Sequence, residues 1–315
     1  MRPPSASAAV AAAHLASQDQ VCPRLRHIIT GSFNTVFLHL LTFDSLTRSL
    51  SVTLSVPAQG PHQWLALGSM HAAGPSNTLP PSHRVVYATT WDDEARRVSA
   101  WRVGLEPGRE SIEYINSKAI PAAGSYLSVQ PPPYESRTSP SYGVRSRLKA
   151  KRGSSSSSQG SSEQGEFLYQ AGGPTGEVFS LDSATGEIVD QRQRIVFLRG
   201  GEEELARGAD TSRRSLRYGA HNVDFDVNGL AYIADLWVFS DWLEISSQSF
   251  RMLTDDSLPS HISGRNAVLV YSRDEATGEL TLQSETTAPE DGDGPRHVVP
   301  SPDGRWVFSV MEHSE

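Results

Sequence analysis

The sequence predicts an all-β chain, and three observations carry that prediction. Runs of β-branched and aromatic residues are short and stop at Gly, Pro, Asn or Asp; no apolar stripe of helical period is sustained; and two turn motifs recur along the chain. An alternating βαβ chain would need helices of about ten or more residues between its strands, whereas the connections here read mostly as turns.

The first strands are expected over 25–30, 36–43, 50–56, 63–67, 84–90 and 98–103. Farther along, Ser180-Leu-Asp-Ser-Ala-Thr-Gly-Glu-Ile-Val189 returns as Ser272-Arg-Asp-Glu-Ala-Thr-Gly-Glu-Leu-Thr281, with 42–50 as a degenerate third copy. Each copy reads as a hairpin turn. In a second turn type, Asn228-Gly229 follows the run 220–226 much as Asp303-Gly304 follows 295–302, and Gly supplies the positive φ that such turns need. Two alternating hairpins make a four-stranded sheet. A ring of such sheets is a β-propeller, with blades of about 40–50 residues once insertions are set aside.

Four stretches stand outside this pattern. Residues 1–24 are Ala- and Ser-rich without the Leu-rich centre of a targeting peptide, and read as a disordered tail. Residues 72–82 read as a loop tip. Residues 131–165 start at a proline run, pass through a basic cluster and end in serines, which is a solvated low-complexity insert. The segment 237–265, with Trp237, Phe239, Trp242, Phe250 and Met252, reads equally well as a lid over one end of the ring or as retained intron sequence. The remainder of 25–315 is expected to form one incomplete propeller domain.

Composition narrows the function. The 315 residues carry a formal charge of −8, which argues against a general nucleic-acid binder but not against a small anion in a local pocket. Cys22 is the only cysteine, so neither an internal disulfide nor a thiolate zinc site is available, as suits a cytoplasmic protein. No apolar run of about 18 residues is present to predict a membrane helix. Nucleophile-elbow, phosphate-loop and dinucleotide motifs are missing, no histidine or carboxylate set repeats at metal-ligand spacing, and no cofactor or metal is expected.

The two Gly turns superpose. His221 lies eight positions before Gly229 and Arg296 eight before Gly304, which gives them the same place in consecutive blades. Inner strands of a propeller line its channel, so both side chains are expected at the channel mouth, with Glu312 returning there at the end of its hairpin. Blander readings stand beside this: His221 as a turn residue, and Arg296 with Glu312 as a rim ion pair. Strand alternation sends His297 and His313 to the opposite face.

The stretches Gly219-Ala-His-Asn-Val-Asp-Phe-Asp226, Ala231-Tyr-Ile-Ala-Asp-Leu236, Asn266-Ala-Val-Leu-Val-Tyr271 and 285–312 resemble the fungal carboxy-cis,cis-muconate cyclases, propellers of the seven-bladed lactonase type. The resemblance implies cofactor-free cyclisation of 3-carboxy-cis,cis-muconate, a small tricarboxylate, to its lactone in aromatic catabolism. It also carries the family's proposed catalytic His, Arg and Glu onto His221, Arg296 and Glu312. Arg296 would hold a substrate carboxylate, and His221 is favoured over Glu312 as proton donor because its unperturbed pKa lies nearest working pH. A lactone hydrolase of the 6-phosphogluconolactonase-like type, or a truncated non-catalytic propeller fragment, are the alternatives, and a homo-oligomer is left open. The family continues for roughly three more blades past the equivalent of Glu312. Inner-strand starts near Gln63, Ser125, His221 and Arg296 therefore predict about four blades in an unclosed ring with exposed edges.

Overall fold

Residues 24–71, 83–130, 165–236 and 264–314 are described by a computed structural model. The expected tail, loop tip and two inserts lie outside these residues, save at most their last one or two positions. Within these described residues seventeen strands form five antiparallel sheets, each built from chain neighbours. The first sheet holds β1 (Leu25–Thr30), β2 (Phe37–Asp44) and β3 (Ser49–Pro57). The second holds β4 (Leu65–His71), β5 (His83–Thr89), β6 (Arg97–Gly104) and β7 (Ser111–Ala119); the third, β8 (Tyr126–Gln130), β9 (Glu166–Gly172), β10 (Thr175–Leu181) and β11 (Ile188–Val196). The fourth comprises β12 (Ala220–Phe225), β13 (Ala231–Asp235), β14 (Ala267–Arg273) and β15 (Leu280–Thr287), and the fifth β16 (Pro295–Pro300) and β17 (Val307–Met311).

Apolar residues stand on both faces of the middle strands, and this decides how the sheets stack. Every residue of β9 and β10 is buried, whereas β15 is exposed beyond its first residue. Separate cores consequently fill the spaces between neighbouring sheets. Leu38, Leu40, Val86 and Trp101 join the first and second; Tyr87, Leu127, Leu168 and Phe179 the second and third; Tyr169, Val178, Val223 and Ile233 the third and fourth; Tyr232 and Val298 the fourth and fifth. This is propeller packing. Among the described residues no strand pairs the first sheet with the fifth, so the ring is open.

The recurrent turns lock one blade to the next. Asp182 Oδ1 accepts the N–H groups of Ala184 and Thr185, and Asp274 Oδ1 does the same for Ala276 and Thr277. Each turn ends at a glycine with φ of +76°, Gly186 or Gly278, whose carbonyl accepts a tyrosine hydroxyl from the preceding blade: Tyr87 at 3.0 Å and Tyr169 at 2.9 Å. The degenerate copy keeps the cap, with Asp44 accepting Leu46 N–H, but has Arg48 at φ +54° in the glycine position.

One connection is not a simple turn, against the expectation that most would be. Between β11 and β12 lie a short helix, α1 (Gly201–Ala206), and a 3-10 turn, Arg213–Arg217, capped by the Ser212 hydroxyl, which accepts Arg214 N–H. Neither is long enough to impose a helical period on the sequence. No helix among the described residues is long and apolar enough to cross a membrane.

Candidate active site

His221 and Arg296 owe their aim to a local irregularity that their blades share. In the β12–β13 pairing Ala220 faces Asp235 and Asn222 faces Ala234, leaving His221 as an extra residue. In the β16–β17 pairing Pro295 faces Met311 and His297 faces Val310, leaving Arg296 as the extra residue. A bulge kinks the strand and redirects its side chain, so the same device at the same position turns both groups toward one point. Glu312, just past β17, is pinned there by its N–H bond to Gly294 O at 2.9 Å. Gly294 holds φ at +65°, and a Cβ on it would sit 2.7 Å from the His313 ring.

The three residues converge on one cavity of about 480 Å³, also lined by Gln63, Trp91, Asp93, Arg213, Arg214, Leu216 and Arg217. Arg296 Nε lies 3.4 Å from His221 Nε2 and 3.6 Å from Glu312 Oε2. Gln63 Nε2 approaches the same His221 nitrogen at 3.4 Å. Two N–H groups directed at Nε2 make it an acceptor, so the ring proton belongs on Nδ1, which is buried and has no partner among the described residues. A larger apolar groove of about 630 Å³ between β1 and the second sheet lacks this convergence of polar groups.

His221 is 4% exposed, and burial, then Arg296 and His297, push its pKa down to about 3. It is a neutral imidazole near pH 7, which overturns the reason for preferring it as donor: the unperturbed pKa is not the one it has here. His297 also departs from expectation. Its ring lies 5.1 Å from that of His221, and it borders the stacked pair Trp64 and Tyr126, whose centroids are 3.9 Å apart. The bulge at Arg296 breaks simple alternation, and His297 packs beside His221 although it does not line the cavity. Deeper along β12, the Tyr126 hydroxyl donates to Asp224, whose pKa burial raises to about 6. Among the described residues no group of three or more His, Cys, Asp or Glu could hold a metal ion.

Sequence reasoning missed the three arginines of the 3-10 turn. The run Arg213-Arg214-Ser-Leu-Arg217, ending four residues before His221, was the available signal.

Residues 257–315 match the family model described as lactonase, 7-bladed beta-propeller. Muconate cycloisomerase 1 from Cutaneotrichosporon cutaneum is 29% identical over 297 residues, covering 93% of this chain and 59% of that protein. The resemblance read in the sequence is borne out. A solved protein from Lactobacillus plantarum, 18% identical, superposes with a TM-score of 0.56 over 91% of this chain and 60% of its own, which supports the propeller fold. The chain thus spans about three fifths of the length of both relatives.

Proposed function

We propose that this lactonase-type propeller cyclises 3-carboxy-cis,cis-muconate to its lactone, with Arg296 and His221 as the acting groups and Glu312 orienting Arg296. The observation that carries the reading is the pair of equivalent bulges that bring His221 Nε2 and Arg296 Nε within 3.4 Å in one cavity. The name of the fungal relative, muconate cycloisomerase, supports the substrate class.

In this mechanism Arg296 holds one carboxylate through its guanidinium fork. A second substrate carboxylate adds its oxygen to the β-carbon of the conjugated double bond. The displaced π electrons collect on the α-carbon and its carboxylate, where Arg296 stabilises them. A proton delivered to the α-carbon completes the lactone, so the trianion takes up one proton and leaves as a dianion. Free His221 is neutral; entering carboxylates supply the opposite charge that raises its pKa, and the ring then loads from solvent and passes the proton on.

The test follows loss of diene absorbance on the full chain. His221→Gln and Arg296→Gln should each lower kcat/KM by about 100-fold or more. Calorimetry in two buffers of different ionisation enthalpy should show proton uptake on substrate binding that His221→Gln removes. A wild-type chain that leaves the diene intact, or a His221→Gln variant of undiminished rate, would sink the reading. Acid release from a sugar lactone with the diene untouched would assign the site to lactone hydrolysis instead.

A further inference from the structure

The 3-10 turn Arg213–Arg217 contributes Arg213, Arg214, Leu216 and Arg217 to the lining of the cavity, which Arg296 also lines. The lining holds four arginines against two carboxylates, in a protein of formal charge −8. Both carboxylates are already engaged: Glu312 lies 3.6 Å from Arg296, and Asp93 Oδ1 accepts the backbone N–H of Arg213 at 2.9 Å. Among the described residues none of Arg213, Arg214 and Arg217 forms an ion pair, and the lining keeps an excess of positive groups over negative ones.

The turn is also fixed in place. Arg213 lies over the Trp91 ring at 4.0 Å, and Trp91 in turn stacks on Phe33 and donates its indole N–H to Gly124 O at 3.0 Å. Ser215 Oγ donates to Ser212 O at 2.7 Å, and Leu216 is buried beneath the turn. In a 3-10 turn residues three apart eclipse, which aligns Arg214 with Arg217 along one edge while Arg213 is held by stacking. A guanidinium fork matches the geometry of a carboxylate, and the turn presents two of them at positions three apart.

We propose that Arg214 and Arg217 form a second anion subsite, which binds the carboxylate that branches from the substrate's carbon spine and selects tricarboxylates over dicarboxylates. The proposal rests on the cyclase reading for its substrate, but the subsite itself is defined by the pocket. Because neither arginine touches the reacting atoms in this scheme, their removal should raise KM far more than it lowers kcat.

The experiment compares two unreactive probes of one carbon spine, propane-1,2,3-tricarboxylate and glutarate, by titration calorimetry on the full chain. Wild type should bind the tricarboxylate about tenfold or more tightly than glutarate, and less so as salt is added. Arg214→Gln/Arg217→Gln should lose that preference while glutarate affinity moves less than about threefold, and Arg214→Lys/Arg217→Lys should regain part of it. Both arginines are exposed, and an unchanged melting transition checks that the fold survives. A wild type without preference, or a Gln pair that keeps it, overturns the subsite. Loss of preference in a chain that never cyclises 3-carboxymuconate keeps the subsite and rejects the cyclase; cyclisation with an unchanged KM in the Gln pair does the reverse.

Discussion

Burial neutralises His221 and Glu177 alike, although one is a base and the other an acid. His221 is pushed down to about 3 and Glu177, 1% exposed within the third blade, is pushed up to about 8. Near pH 7 neither carries its usual charge. For Glu177 the consequence is a stability that depends on pH. Unfolded, it ionises near its ordinary 4.5; folded, it stays protonated to about 8, so its contribution is intact below 4.5 and is lost as pH rises between the two. The slope in that window is at most about 1.4 kcal/mol per pH unit. Glu177→Gln should therefore flatten the urea-midpoint profile and be more stable than wild type at pH 8 but not at pH 4. Profiles that stay parallel would refute the assignment. At this scale the sequence located His221 and Arg296 by their distance from a glycine turn. It missed His297, because a bulge leaves no mark in residue types.

Amide side chains act between the elements as substitutes for missing strand pairing. Asn116 on β7 donates to Ile188 O at 2.8 Å and accepts Ile188 N–H at 3.1 Å, and Gln193 on β11 treats Leu280 in the same two-way manner at 2.8 and 2.7 Å. Asn222 repeats the device on Val298, at 3.1 Å in both directions. Each clasp joins the outer or inner strand of one blade to the backbone of the next. Asn116→Ala and Gln193→Ala should each cost about 1–3 kcal/mol in denaturant unfolding, because two backbone groups lose their partner in a part-buried position. Losses below about 0.5 kcal/mol would make the clasps surface decoration. The Asp-capped turns between the same blades were legible from their repetition. A lone Asn or Gln facing a neighbouring strand is not, since its partner is distant in sequence and of no particular residue type.

Over the whole molecule, stability is a sum of interfaces between sheets rather than one central core. Blades two to four have a neighbour on each side; the first and fifth sheets have one among the described residues. In β17 and just before it, the large apolar groups Trp306, Phe308 and Val310 are more than 60% exposed. Unfolding should be graded, as in a stack of repeats. Amide exchange should be slowest in β9 and β10, by roughly a hundredfold or more relative to β16 and β17. Uniform protection across all five sheets would contradict this.

By itself the sequence determined the all-β class and the blade repeat and pointed to His221, Arg296 and Glu312 as neighbours at one rim, because these depend on local periods and turn chemistry that a short window contains. Only the tertiary structure decided the protonation of His221 and Glu177, the place of His297 and the arginines that join Arg296 around the cavity. Each of these follows from what a neighbouring blade or connection brings within a few ångströms, and desolvation and charge act through that space, not along the chain.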